Sequence, residues 1–314
     1  MRTSLLLILT MFSIFCSAVE EGNFVASDML ANMKHGDKAA LLMVHFGTTY
    51  DDTRALTIDA INTKAQAIFP ELKFKEAYTS RIIIRRLKAR GIDKMTPLDA
   101  LLQLRSEGYT HIIIQSTNII EGVEMESLRR DVESVLPFFK EIRVGTPLFY
   151  STGDTEKVIG ILGNRLNIPA NGKKSPKEHI VLVGHGTSTP STAIYSQIDY
   201  MLKANELTNF HVGTIEGYPT FETMLTQLKA AKARSITLVP LMFVAGDHAK
   251  NDIAGEWKEQ LEKEGYTVHV HMEGLGQVPE IQEIFIDHIR FGLKHRMQGI
   301  MEKKAAYAAS KKPE

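Results

Sequence analysis

The stretch HIVLVGHGTSTP, residues 179–190, is apolar as far as Val183, then sets a single histidine, His185, between two glycines before turning polar. Its aliphatic and β-branched run lacks helical spacing and predicts a buried strand over 179–185. The flanking Gly184 and Gly186 leave space beside the backbone, with the imidazole at the mouth of that gap. Seven further runs have the same character. AALLMVHF (39–46), LKFKEAY (72–78), HIIIQST (111–117) and EIRVGTP (141–147) come before it, and FHVGTIE (210–216), SITLVPLMF (235–243) and YTVHVHM (266–272) come after. Between them lie stretches with helical spacing, such as PLDALLQLRSEG (97–108) and FETMLTQLKAAKA (221–233). Strand and helix alternating through the chain implies an α/β fold, with parallel sheets covered on both faces by helices.

The two sets of strands form a degenerate repeat. HFGTT (45–49) parallels GHGTS (184–188), setting Phe46 opposite His185. KEAYTS (75–80) parallels IEGYPT (215–220), setting Glu76 opposite Glu216 and Tyr78 opposite Tyr218. IIEGVE (119–124) parallels the segment ending in AGDH, setting Glu124 opposite His248. Three landmarks in one order predict two similar lobes facing across a cleft. An N-terminal lobe is expected over 39–166 and a C-terminal lobe over 179–298. The segment NIPANGKKSPKE (167–178), rich in Pro, Gly, Asn and Lys, is the expected linker. A last helix is expected over 279–298, packed on the sheet through Ile281, Ile284, Phe285, Ile289 and Leu293. Residues 19–38 read as a polar leader, and 299–314 as a mobile tail with little to bury.

The chain has 37 basic and 37 acidic residues, a balance that argues against nucleic-acid binding. At the N-terminus, Arg2, the apolar run LLLILTMFSIF (5–15) and the small residues of CSA (16–18) form the pattern of a signal peptide cleaved near Ala18. The run is too short for a comfortable membrane span, so no stable span is expected after cleavage. Periplasmic export is the expectation. Cys16, the one cysteine, lies inside this segment, so the mature chain carries no thiolate for catalysis, metal binding or a disulfide.

His185, Glu216 and His248 each fall at or just beyond the C-terminal end of an expected parallel strand, the edge where open α/β sheets bind ligands. Singly, each has a bland explanation as a hydrogen-bonded strand end, a helix-start charge or a loop histidine. Two imidazoles and a carboxylate on one rim would suit a divalent cation such as Co²⁺, Ni²⁺, Fe²⁺ or Zn²⁺. His269 and His271 alternate along one strand, as a solvated edge would. No phosphate-cradling glycine loop, G-x-G-x-x-G, G-x-S-x-G or H-E-x-x-H occurs, so the usual nucleotide, serine-hydrolase and zincin readings lack their parts.

The combination LLMVHFGTTYDDTR, EAYTSRIIIRRL, LVGHGTSTP, TIEGYPTFE and VPLMFVAGDHAKNDIAGE resembles the CbiK-type sirohydrochlorin cobaltochelatases, among the class II tetrapyrrole chelatases. The resemblance runs from about residue 39 to 297. It implies two lobes, each a four-stranded parallel sheet flanked by helices, with the tetrapyrrole held between them. It also implies that His185, Glu216 and His248 bind the substrate metal, Co²⁺ with Fe²⁺ or Ni²⁺ as alternatives, and that His185 accepts protons. Gly184 and Gly186 would let the flat macrocycle approach. Its carboxylates would meet Arg54, Arg81 and Arg85, and Phe46, Thr48, Tyr78 and Ser80 would touch the ring. The basic segment RIIIRRLKAR equally suits a helix with a solvated face. The export signal is unusual beside this chemistry. It keeps open a second role, an exported carrier of tetrapyrrole or divalent metal, and leaves a homo-oligomer open as well.

Overall fold

The computed structural model describes residues 23–166, 178–247 and 249–310. The signal segment over 1–18, the expected linker up to residue 177, and His248 lie outside the described residues. Ten strands are present among the described residues: β1 (Phe24–Ala26), β2 (Ala39–His45), β3 (Lys73–Tyr78), β4 (His111–Ser116), β5 (Glu141–Val144), β6 (Glu178–Gly186), β7 (Phe210–Glu216), β8 (Ser235–Leu241), β9 (Thr267–Val270) and β10 (His295–Met297). One four-stranded sheet has the order β3-β2-β4-β5 and the other β7-β6-β8-β9. Every neighbouring pair in both is parallel. The repeat in the sequence is therefore a repeat of topology, with the second strand crossing to one edge and the third returning to the other side.

The strand periodicity decides how the layers pack. Leu41, Met43 and Ile113 project from one face of the N-terminal sheet, and Leu42, Val44, Ile112 and Ile114 from the opposite face. The second set is covered by the helices Pro97–Ser106 and Val123–Val135, through Ala100, Leu101, Leu104, Met125 and Leu128. The first set joins Ile180, Leu182, Val239 and Leu241 of the C-terminal sheet in one continuous core. The two lobes thus share buried surface as well as facing each other. Helix starts carry the expected caps. Ser80, Thr96 and Thr220 each accept a hydrogen bond from a backbone N–H in the first turn of the following helix.

Three boundaries differ from the sequence expectation. The leader is not purely polar surface, because β1 pairs antiparallel with β10 and Met29 is fully buried in the shared core. The last helix stops at Lys294, where the chain straightens into β10. The buried Arg143 guanidinium explains the stop. Its Nη1 donates to the carbonyls of Gly292 (2.9 Å), Leu293 (3.2 Å) and His295 (3.2 Å) and of Ser27 (2.7 Å), capping the helix end against β5. That helix, Pro279–Lys294, packs against β4 and the helix Thr152–Leu166, so the chain returns to the N-terminal lobe after the C-terminal sheet. Finally, the tail expected to be mobile contains the helix Ile300–Ser310. Its Lys- and Ala-rich sequence is a good helix former, and Glu302 pairs with Arg296. No helix among the described residues is long and apolar enough to cross a membrane.

Candidate active site

β6 ends in Gly184-His185-Gly186 as expected, but the space beside both glycines is filled by the protein itself. A Cβ at Gly184 would lie 2.2 Å from the Tyr195 ring. A Cβ at Gly186 would lie 1.4 Å from the carbonyl oxygen of Glu216. Gly184 and Gly186 therefore make room for Tyr195 and for the β7 backbone, which corrects their assignment to macrocycle contact. Gly186 also has φ +83°, a conformation L side chains avoid. Tyr195 is buried beneath the motif, and its hydroxyl accepts the Gly186 N–H at 3.3 Å. Burial pushes that phenol up to about 12, so it stays neutral. No motif marked Tyr195 in the sequence; it is one apolar-face residue of the helix Ala193–Ala204.

His185 is half-buried, with Nδ1 3.2 Å from the Gly186 carbonyl oxygen. If Nδ1–H donates there, Nε2 holds the lone pair needed for ligation or proton acceptance. Glu216 is exposed at the end of β7 and lies in register with Gly186, so its strand position neighbours that of His185. Behind it, Gly217 (φ +92°) turns the chain. Thr192 Oγ1 then holds the loop by accepting from the Tyr218 N–H at 3.1 Å. The structure brings His185 and Glu216 to one rim. His248 lies outside the described residues, and among these no group of three or more His, Cys, Asp or Glu has metal-ligand spacing.

The sheet register revises two correspondences in the repeat, Glu76 with Glu216 and Tyr78 with Tyr218. His45 pairs with Tyr78 and Gly184 with Thr214, so Gly47, the counterpart of Gly186, comes level with Ser80. Ser80 N–H donates to the Phe46 carbonyl at 3.2 Å, continuing that ladder. Ser80, not Glu76, thus occupies the place of Glu216. Glu76 sits farther back within β3, where Asn62 Nδ2 donates to it at 2.7 Å and Lys94 pairs with it. The loop after β7 is longer than that after β3, which carries Glu216 out to the rim.

On the N-terminal side the expected ring contacts divide. Phe46 is 43% exposed and stands at the strand end. Tyr78 is fully buried, its ring against Gly47 and beneath Lys94, so it cannot touch a ligand, and burial pushes its phenol up. Thr48 is also buried, and its Oγ1 accepts from Tyr50 N–H at 3.2 Å. Ser80 is the cap of the helix Arg81–Lys88. Arg54 is already paired with Asp51 (2.9 Å) and Asp59 (3.4 Å), whereas Arg81 and Arg85 are exposed on the helix. His269 is exposed, and His271 Nε2 lies 2.9 Å from Glu273, as a solvated strand edge predicts.

Sequence reasoning overlooked His45, which shares its motif with Phe46. This imidazole is fully buried, with Nδ1 2.9 Å from Thr117 Oγ1 and Nε2 2.9 Å from Asn62 Oδ1. Its ring stacks on Phe243 across the lobe junction, and burial holds it below its usual value, hence neutral. The signal was available, since a histidine at the last position of a buried strand needs polar partners on both nitrogens.

Two repeated parallel sheets with polar side chains at adjoining strand ends define the two-lobed architecture of the class II chelatases. Solved structures of that class match it at the level of the fold. SirB from Bacillus subtilis with Fe³⁺ is 17% identical with a TM-score of 0.58, over 82% of this chain and 96% of that one. SirB from Bacillus subtilis subspecies spizizenii in complex with cobalt is 14% identical with a TM-score of 0.57, over 82% and 95%. More particularly, the cobalt chelatase (CbiK) family model matches residues 39–293, and the chain belongs to that family. It is 36% identical over 261 residues to the sirohydrochlorin cobaltochelatase of Salmonella typhimurium, covering 82% of this chain and 97% of that protein. It is 31% identical over 258 residues to the sirohydrochlorin cobaltochelatase CbiKC of Nitratidesulfovibrio vulgaris, covering 80% and 89%.

Proposed function

We propose that this chain is a sirohydrochlorin cobaltochelatase, which inserts Co²⁺ into sirohydrochlorin and releases two protons. The observation that carries this is the match to the cobalt chelatase family through both lobes, residues 39–293. Metal insertion exchanges protein and water ligands on Co²⁺ for four ring nitrogens while two pyrrole N–H protons leave. His185, Glu216 and His248 deliver the metal in this proposal. His185 also accepts protons, through the nitrogen that does not face the Gly186 carbonyl. Few donors suit the task, since a closed set of ligands would retain the metal. The exposed Phe46 offers an apolar surface for the macrocycle, and Arg81 and Arg85 offer cations for its carboxylates. The test is anaerobic incubation of the protein with sirohydrochlorin and Co²⁺, followed by absorption. A spectral change no faster than in the protein-free control refutes the proposal.

The N-terminal pattern of Arg2, the apolar run 5–15 and the small residues 16–18 supports export to the periplasm with cleavage near Ala18. N-terminal sequencing of the native protein tests it, and intact Met1 on soluble cytoplasmic protein rules it out. The same pattern favours the second reading, a periplasmic carrier of tetrapyrrole or divalent metal. A carrier would bind both without accelerating the spectral change.

A further inference from the structure

The segment that precedes His248 is tied across the cleft to the opposite lobe. Tyr50, in the loop after β2, donates its hydroxyl to Asp247 Oδ1 at 2.7 Å. Arg86, on the helix Arg81–Lys88, donates from Nη1 to Asp247 Oδ2 at 3.1 Å. Both oxygens of one C-terminal-lobe carboxylate are thus engaged by the N-terminal lobe. A neighbouring contact strengthens the same seam, with Lys250 Nζ 3.5 Å from the centre of the Tyr50 ring. The anchoring loop is itself held in place, since Arg90 donates to the Thr49 carbonyl at 2.6 Å and pairs with Asp51. On the far side of His248, Ala249 is fully buried in the C-terminal core with Ile253 and Trp257. One chain position therefore separates a polar anchor on one lobe from an apolar anchor in the other.

We infer that Asp247 is a positioning residue: bridged to Tyr50 and Arg86, it fixes the chain next in sequence to the proposed metal ligand His248, and so couples metal capture to the N-terminal lobe. The inference rests on the chelatase reading above and deepens it. Stability is not what the bridge supplies. The Arg86 and Asp247 side chains are 58% and 44% exposed, and pairs so exposed hold little folding energy. Geometry is what it supplies, and displacements well under the width of an atom are costly at a reacting centre.

The test uses the full-length mature protein with Tyr50→Phe, Arg86→Gln, Asp247→Ala, and Arg86→Gln combined with Asp247→Ala. Each is measured for thermal midpoint, Co²⁺ affinity by calorimetry without tetrapyrrole, and kcat and KM with sirohydrochlorin. Tyr50→Phe and Arg86→Gln are expected to keep the parental midpoint. They are expected to weaken Co²⁺ binding or lower kcat, on the order of tenfold, with KM for sirohydrochlorin unchanged. The effect of Arg86→Gln is expected to vanish in the Asp247→Ala background, because it acts through that carboxylate. Arg86→Lys, which keeps the charge, is expected to recover part of the loss. Parental Co²⁺ affinity and kcat in both single variants overturn the inference. So does a raised KM for sirohydrochlorin that persists without Asp247, since Arg86 would then be touching the substrate directly. If the parent itself fails to metallate sirohydrochlorin, the chelatase reading falls. The Co²⁺ titrations then decide the bridge alone, with weakened binding upholding it and unchanged binding overturning it.

Discussion

Replacing Gly186 by alanine should damage the candidate site and the fold together, and by calculable amounts. Two costs are superimposed. At φ +83° an L residue pays about 1–2 kcal/mol for the left-handed conformation. The added Cβ would also stand 1.4 Å from the Glu216 carbonyl oxygen, and that atom is backbone in the neighbouring strand. Relief requires β6 and β7 to part at the rim, an overpacking cost of about 1–3 kcal/mol. The expected total is about 2–5 kcal/mol. Gly36→Ala separates the two costs, because Gly36 has φ +90° and a Cβ there meets nothing within 4 Å. Urea unfolding of parent and both variants gives the stabilities, and Co²⁺ titration corrected for folded fraction reports on Glu216. Gly186→Ala should be clearly less stable than Gly36→Ala and should bind Co²⁺ more weakly. Equal destabilisation by the two substitutions, with parental Co²⁺ affinity in both, would refute the argument that Gly186 exists to admit Glu216.

Three further outcomes follow from named contacts. Glu216→Gln preserves shape at an exposed strand end, so its thermal midpoint should match the parent's while Co²⁺ affinity falls in calorimetry; unaltered affinity and turnover remove Glu216 from the site. Burial lowers His211 to about 4, below its unfolded value near 6.5, so the unfolded chain takes up a proton first. The stability His211 contributes is full above pH 6.5 and is lost as pH falls through 4, about 3 kcal/mol in all, and urea midpoints of parent and His211→Asn across that window should show the variant with the shallower slope. Arg143→Met leaves the carbonyls of Ser27 and Gly292 without their buried donor, while that of Leu293 keeps the Met29 N–H, and should cost about 2–4 kcal/mol in urea unfolding; a loss below 1 kcal/mol would count against the capping role.

The alternation of apolar runs with helical spacing located all eight strands of the two sheets, most plainly β2, β4 and β6, which are buried on both faces and so apolar at nearly every position. The motif parallels likewise foresaw equal topology in the two lobes. Less legible were features set by long-range contacts. Nothing local in EIRVGTP says that Arg143 will cap a helix some 150 residues later, and so end it before residue 298. Aligning KEAYTS with IEGYPT matched the helix starts correctly but misplaced Glu76, because ladder register depends on loop length and is invisible to motif spacing. The glycines beside His185 were recognised as space, but their occupants were not. Tyr195 and the Glu216 carbonyl come from elsewhere in the chain, and a sequence window does not contain the partner that fills a gap.

The register also explains how one repeated lobe diverged into two unequal partners. At matching rim positions the C-terminal lobe presents His185 and Glu216, while the N-terminal lobe presents Phe46 and Ser80. The histidine of the N-terminal motif, His45, lies one position earlier and is turned inward, locked between Thr117 and Asn62 and stacked on Phe243. A neutral, fully buried imidazole held at both nitrogens cannot compete for a metal ion. In the proposed site the metal donors therefore lie on the C-terminal side of the rim, opposite the apolar Phe46 and the exposed Arg81 and Arg85. Metal insertion asks for that asymmetry. Donors on both sides of the cleft would enclose the cation and retain it, whereas donors on one side can present it to a ring held against the other and then let go. Where the two sides must keep a fixed distance, Asp247, next in sequence to the proposed ligand His248 and clasped by the opposite lobe through Tyr50 and Arg86, is well placed to set it.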